Sequence, residues 1–216
     1  MEKKFILTDK FVINSFGIKL FQIKCTKSFK YAQKGDFGGY VEKEGNLDQE
    51  NDAWVFGNAR VSSNARVSGD AWVSDNARVS GDAWVSDNAW VSSNALVSGY
   101  ALVSGYARVS GDAWVSGNAR VSGDAWVSGN AWVSGDADIE NDNEHCGFDG
   151  FGSCNRHTHA YMTKEKKVEI ICGCFRGSIE EFEKKVEETH SGTVYEKRYK
   201  SIINVIKIKF GLTDFT

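Results

Sequence analysis

Ala77-Arg78-Val79-Ser80-Gly81-Asp82-Ala83-Trp84-Val85-Ser86-Asp87-Asn88 carries one six-residue unit twice. The unit, Ala-x-Val-Ser-Gly-Asp/Asn, recurs fifteen times between Ala53 and Asp142. Alanine returns at every sixth position from Ala53 to Ala137. Valine follows two residues later from Val55 to Val133, and Ile139 takes the last such slot. A period of six does not suit a helix and is too regular for separate hairpins; it predicts a β-solenoid. Within Ala-x-Val, strand alternation sends alanine and valine to one side and x to the other. The branched, burial-prone valine marks the inner side, where each valine contributes roughly 1.5–3 kcal/mol. Ser-Gly-Asp/Asn is turn chemistry: Gly, Asn and Asp accept left-handed backbone angles, and Ser, Asp and Asn bond the local backbone. One unit is therefore one short strand and one corner.

Val-Ser-Gly-Asp-Ala-Trp, with a large aliphatic residue and a small one four positions later, resembles the hexapeptide-repeat left-handed parallel β-helix. The resemblance covers 53–142. It implies a triangular prism with three units per coil, so fifteen units make about five coils, roughly 24 Å tall at ~4.8 Å per strand. Three units per coil sort the outward x residues into three faces. The first carries Trp54, Trp72, Trp90, Arg108 and Trp126; the second Arg60, Arg78, Leu96, Trp114 and Trp132; the third Arg66, Trp84, Leu102, Arg120 and Asp138. All seven tryptophans of the chain lie in these columns, one strand spacing apart, close enough for ring stacking and Arg–Trp contact.

The flanks are different. Residues 1–46 contain alternating stretches (FILT, KFVINS, IKLFQIKC), a turn at Asn14–Gly17 and the glycine-bearing Gly35–Val41 segment. They read as an N-terminal β cap over the open edge of a solenoid spanning 47–143. Residues 144–155 read as a linker. Residues 156–216 read as a ββαα domain: two strands at His157–Thr163 and Lys167–Cys174, then helices opened by Ser178-Ile179-Glu180-Glu181 and Thr193-Val194-Tyr195-Glu196, both with capping-box spacing. The fold class expected is mainly β, with a small α+β module at the end. The Cys172–His190 stretch looks like a C-terminal module of phage and prophage proteins, and Gly38-Gly39-Tyr40-Val41 leading into Asp52-Ala53-Trp54-Val55 is similar to bacterial hexapeptide proteins assigned as acetyltransferases.

The 216 residues carry a net charge of −3, so no global basic field favours nucleic acid. No apolar run approaches the roughly 20 residues of a membrane helix, and the basic start is broken by Thr8, Asp9 and Lys10, a poor signal peptide. A cytoplasmic protein is expected. The five cysteines are too few and uneven for a disulfide framework. Cys146, Cys154, His157, His159, Cys172 and Cys174 lack the spacing of zinc knuckles and are expected to be packing or surface residues. Neither a metal nor a cofactor is expected.

Resemblance to the hexapeptide acyltransferases implies a catalytic histidine between coils. The array has no histidine, cysteine or lysine between Ala53 and Ile139; His145, His157, His159 and His190 all lie after it. Its serines are corner serines without a histidine partner, and it lacks the threonine of ice-binding solenoids. The reading that follows is a non-catalytic binding or scaffold protein of phage or prophage type. It would engage a protein partner, as an inhibitor of a host defence system, or its own copies as a homo-oligomer. An acyltransferase relative with a site outside the array is the alternative. Where the repeat departs from itself, tyrosine replaces Asp/Asn at Tyr100 and Tyr106 and leucine replaces Trp/Arg at Leu96 and Leu102. Leu96, Tyr100 and Leu102 are expected around one edge at mid-height as a contact patch. Trp54, Trp72, Trp90, Arg108, Trp126, Trp114, Trp132 and Tyr106 complete the candidate binding set.

Overall fold

A computed structural model of the chain describes residues 2–212. Fifteen two-residue strands, β4 (Trp54–Val55) to β18 (Asp138–Ile139), wind into a parallel solenoid. Each strand pairs with the one eighteen residues on, as in Trp54 with Trp72 and Arg60 with Arg78. The three stacks contain the three outward columns derived above. Coils are joined by backbone bonds such as Trp54 N–H to the Ala71 carbonyl (3.0 Å) and Phe56 N–H to that of Val73 (2.8 Å). The inward Ala and Val side chains form one continuous buried core.

Every corner between Gly57 and Gly135 places the residue after the serine position in the left-handed region, with φ between 56° and 69°. Glycine fills most of these places because it carries no Cβ. Ser63, Asp75, Asp87 and Ser93 are the exceptions. Two of them repay the backbone locally: Asp75 Oδ2 accepts from Ser93 N–H (3.0 Å) and Asp87 Oδ2 from Gly105 N–H (3.2 Å) on the next coil.

The parallel ladder starts one turn above the repeat. Strand β3 (Phe37–Val41) aligns Tyr40 with Arg60 and Val41 with Val61, and Leu47 bridges Val67 in parallel. The solenoid therefore has about six turns rather than five. The first turn lacks the hexad because two antiparallel strands, β1 (Phe5–Ile13) and β2 (Lys19–Cys25), continue its sheet and set other packing demands. Lys4, buried beneath this cap, donates through Nζ to the Ala53 carbonyl (2.9 Å) and to that of Asn51. Burial lowers its pKa to about 8.

Residues 145–151, expected within a linker, form strand β19 (His145–Phe151). It pairs with β20 (Arg156–Met162), which pairs with β21 (Val168–Cys172), which pairs with β22 (Phe175–Gly177). The module is thus a four-stranded antiparallel sheet followed by helices α1 (Ile179–His190) and α2 (Val194–Lys209). The glycines in 144–155 suggested a flexible connection, but tertiary pairing overrides that local preference. The Ser178 capping box is complete, with Glu181 N–H on Ser178 Oγ and Ser178 N–H on Glu181 Oε2. At the second helix Thr193 caps Glu196 N–H, while the Glu196 carboxylate accepts from Gly192 N–H instead of Thr193. Phe182, Val186, Tyr199, Ile202, Ile203 and Ile206 pack the helices onto Ala160 and Ile170 of the sheet.

Candidate interaction faces

Strand alternation aims every x residue away from the core, but the outward columns are not equally open. Trp54, in the expected binding set, is 1% exposed: the rings of Phe5 and Phe29 meet it edge-on at 6.2 and 5.3 Å. The N-terminal cap covers it, which a column assignment alone does not reveal. Below it, Trp72 is half-buried between Phe56, stacked at 3.8 Å and 20°, and Trp90 at 5.7 Å. Arg108 lies over the Trp90 ring at 5.8 Å, and Trp126 is exposed. On the second face Trp114 and Trp132 stack at 5.1 Å, nearly parallel at 2°. Leu96 is half-buried there.

The indole N–H groups explain part of this pattern. Trp84, Trp114 and Trp126 each donate through Nε1 to a corner serine sixteen residues earlier: Ser68 (2.8 Å), Ser98 (3.3 Å) and Ser110 (3.1 Å). Sixteen residues before Trp72 stands Phe56, which has no acceptor. Trp72 Nε1 is buried without a partner among the described residues, as is Trp132 Nε1 although Ser116 stands sixteen residues before it. Three of the seven tryptophans are thus fastened to the coil above as well as displayed.

Amides and carboxylates stack down the prism edges. Asn58, Asn76, Asn94 and Asp112 form one side-chain ladder at 3.5, 3.3 and 3.0 Å. On the edge between the second and third faces, Asn64 bonds Asp82 (3.2 Å) and Asn118 bonds Asp136 (3.3 Å). Tyr100 sits between those two pairs and breaks the ladder. Tyr106 occupies the equivalent middle place on the edge between the third and first faces. Tyr100 is 70% exposed and Tyr106 65%. Leu102 lies between them on one rung, aligned with Trp84 on one side and Arg120 on the other. Leu96, Tyr100 and Leu102 do share one edge; Tyr106 is on the next, so the two tyrosines flank the third face.

The histidines gather where the last coil meets the C-terminal sheet. His159, 1% exposed, contacts the Trp132 carbonyl through Nδ1 at 3.0 Å. A carbonyl only accepts, so Nδ1 carries the proton. His159 Nε2 is then an acceptor, and His145 Nδ1, 3.1 Å away, donates to it. His145 Nε2 is left buried and without a hydrogen-bond partner among the described residues, 3.8 Å from Asp142. Burial lowers the His159 pKa to about 3, and burial likewise lowers that of His145. His157 Nδ1 meets Asp149 Oδ1 at 2.8 Å, while its Nε2 is buried without a partner among the described residues. A cavity of about 310 Å³ opens beside this group, lined by Asn130, Trp132, Arg156, His157 and His159. The seam was missed in the sequence except for the His157-x-His159 alternation, which puts both rings on one side of a strand. Burial raises the Cys146 thiol to about 11. Cys172 is buried, with Thr158 Oγ1 donating to its sulfur at 3.2 Å, and Cys154 and Cys174 are exposed.

These stacked parallel strands have a counterpart among known repeats. The array is similar to the YdcK beta solenoid repeat. That family's model matches residues 59–75, 71–87, 107–123 and 113–129, which together span less than half of the chain. The likeness supports a repeat β-solenoid. No curated protein matches the chain.

Proposed function

We propose that this chain is a non-catalytic binding or scaffold protein that presents a solenoid face to another protein. The observation that carries this is the rung Tyr100–Leu102–Tyr106. Two large aromatic side chains stand where other coils carry Asp or Asn, and both are open to solvent. The coil gains no visible bond from them, whereas Tyr, Trp and Arg are the residues that anchor protein contacts. The histidine chemistry favours the same reading: His159 and His145 are committed to one another and to Trp132, and His157 Nε2 is buried. A phage or prophage origin, with a host defence protein as partner, extends this reading and rests on the resemblance of 172–190 alone. The paired substitution Tyr100→Asp with Tyr106→Asp should leave folding unchanged and abolish partner binding. Unchanged binding would sink the proposal.

One observation favours the acyltransferase alternative: His157, paired with Asp149, borders the cavity beside Arg156. Incubation with acetyl-CoA and candidate amines tests it. CoA release abolished by His157→Ala would replace the binding reading.

A further inference from the structure

We propose that the third face docks onto the same face of a second copy, the two prisms antiparallel about a two-fold axis through Leu102. This deepens the binding reading by naming the partner as the chain itself. From the first full coil to the last, the face carries Arg66, Trp84, Leu102, Arg120 and Asp138, one per rung and in register. Turned end over end about the strand direction, the first rung meets the fifth and the second meets the fourth. Arg66 then faces the second copy's Asp138, Trp84 faces its Arg120, and Leu102 faces its own counterpart. A cation–π pair made twice and an apolar centre on the axis result, with the largely buried Asp138 opposite Arg66 at each end.

The edges obey the same operation, which maps each edge column onto itself. Tyr100 meets Tyr100 and Tyr106 meets Tyr106. Asp82 meets Asn118, Asn64 meets Asp136, and Asn88 meets Asp124, every one an amide against a carboxylate. Like charges meet only toward the ends: Asp70, engaged by Lys30 at 3.6 Å, faces Asp142, and Lys43, bonded to Asn64 at 3.1 Å, comes near Lys164, 3.9 Å from Asp136. Asp138 is the least open member of the face: its Oδ1 is buried, 3.8 Å from Arg120 Nε of its own chain, so the end rungs contribute less than the centre.

Neither other face offers this. On the first, Trp54 lies under the N-terminal cap and Trp72 under Phe56 and Tyr31. The second has Arg60 and Arg78 without an acidic counterpart, and its Trp132 is tucked against the C-terminal sheet. Only the third is flanked by both tyrosines. Five rungs at ~4.8 Å and a width of ~20 Å make about 500 Å² per copy. That is below the ~800 Å² of a stable assembly, so a dimer of micromolar or weaker affinity is expected.

The test exploits the self-facing centre. Leu102→Glu and Leu102→Lys each put two like charges on the axis, and the fold tolerates a charged residue there because Arg66 and Arg120 hold the same place in other coils. Sedimentation across a concentration series reaching ~100 µM should show the wild-type chain dimerising and each variant monomeric, with unchanged circular dichroism. An equimolar mixture of the two variants should recover the dimer as a heterodimer. A wild-type chain monomeric throughout, a Leu102→Glu chain that still dimerises, or a mixture that stays monomeric would each overturn the proposal. None of these results depends on a foreign partner or on acyl-CoA turnover, so the broader binding reading is tested separately.

Discussion

His159 donates its Nδ1 proton to the backbone carbonyl of Trp132 across 3.0 Å, and that bond joins the C-terminal sheet to the last coils of the solenoid. The unfolded chain takes up a proton on this histidine near pH 6.5, whereas the folded chain resists until about 3. Between these values the unfolded state binds more protons, so stability falls as pH falls, by ~1.4 kcal/mol per unit. His145, also lowered by burial, acts with the same sign. Urea denaturation at pH 7.5 and pH 5 should differ by about 2 kcal/mol. The lowered carboxylates of Asp48, Asp149, Glu180 and Glu196 act with the same sign but titrate mainly below this window. His159→Asn keeps a donor for Trp132 and should flatten the slope; an unaltered slope would refute this account.

Phe56 takes the place of the corner serine that accepts from tryptophan elsewhere, and stacks on Trp72 at 3.8 Å. Phe56→Ala removes the stack and leaves Trp72 Nε1 unpaired. Phe56→Ser removes the stack but supplies the hydroxyl that Ser68 gives Trp84. The serine variant should therefore be more stable than the alanine variant by about 1 kcal/mol. Equal unfolding midpoints would show that the indole bond contributes nothing.

Gly39 is required by close approach. A Cβ there would lie 2.7 Å from the Ala59 carbonyl oxygen and 2.8 Å from Val55 Cγ1. Gly39→Ala should destabilise by about 1–3 kcal/mol and expose the N-terminal hairpin to limited proteolysis. Gly45, with nothing within 4 Å of its Cβ position, is the control.

Asp75 holds a left-handed corner, φ 60°, while its carboxylate accepts from Ser93 N–H. Asp75→Ala keeps the strain and loses the bond, an expected loss of about 1–2 kcal/mol. Asp75→Gly loses the bond but relaxes the backbone and should be close to neutral. Thermal melts of the two variants separate strain from bonding.

The hexad by itself determined the short strands and the corners, and the resemblance to hexapeptide β-helices added three units per coil and so the three columns. Six residues per strand and corner, closed three to a coil, bring residue n over residue n+18, and alternation leaves valine nowhere to go but inward. The place where the repeat breaks, Tyr100 and Tyr106, was legible for the same reason: regularity makes a departure visible. Tertiary structure alone decided which columns are open. Trp54 and Trp90 occupy the same place in the unit, yet one is sealed by Phe5 and Phe29, far away in sequence. It also made a strand of His145–Phe151 and joined His145, His159 and Trp132 into one seam. These outcomes depend on non-local packing, whose energy is spread over residues with no shared spacing, and no local pattern records it.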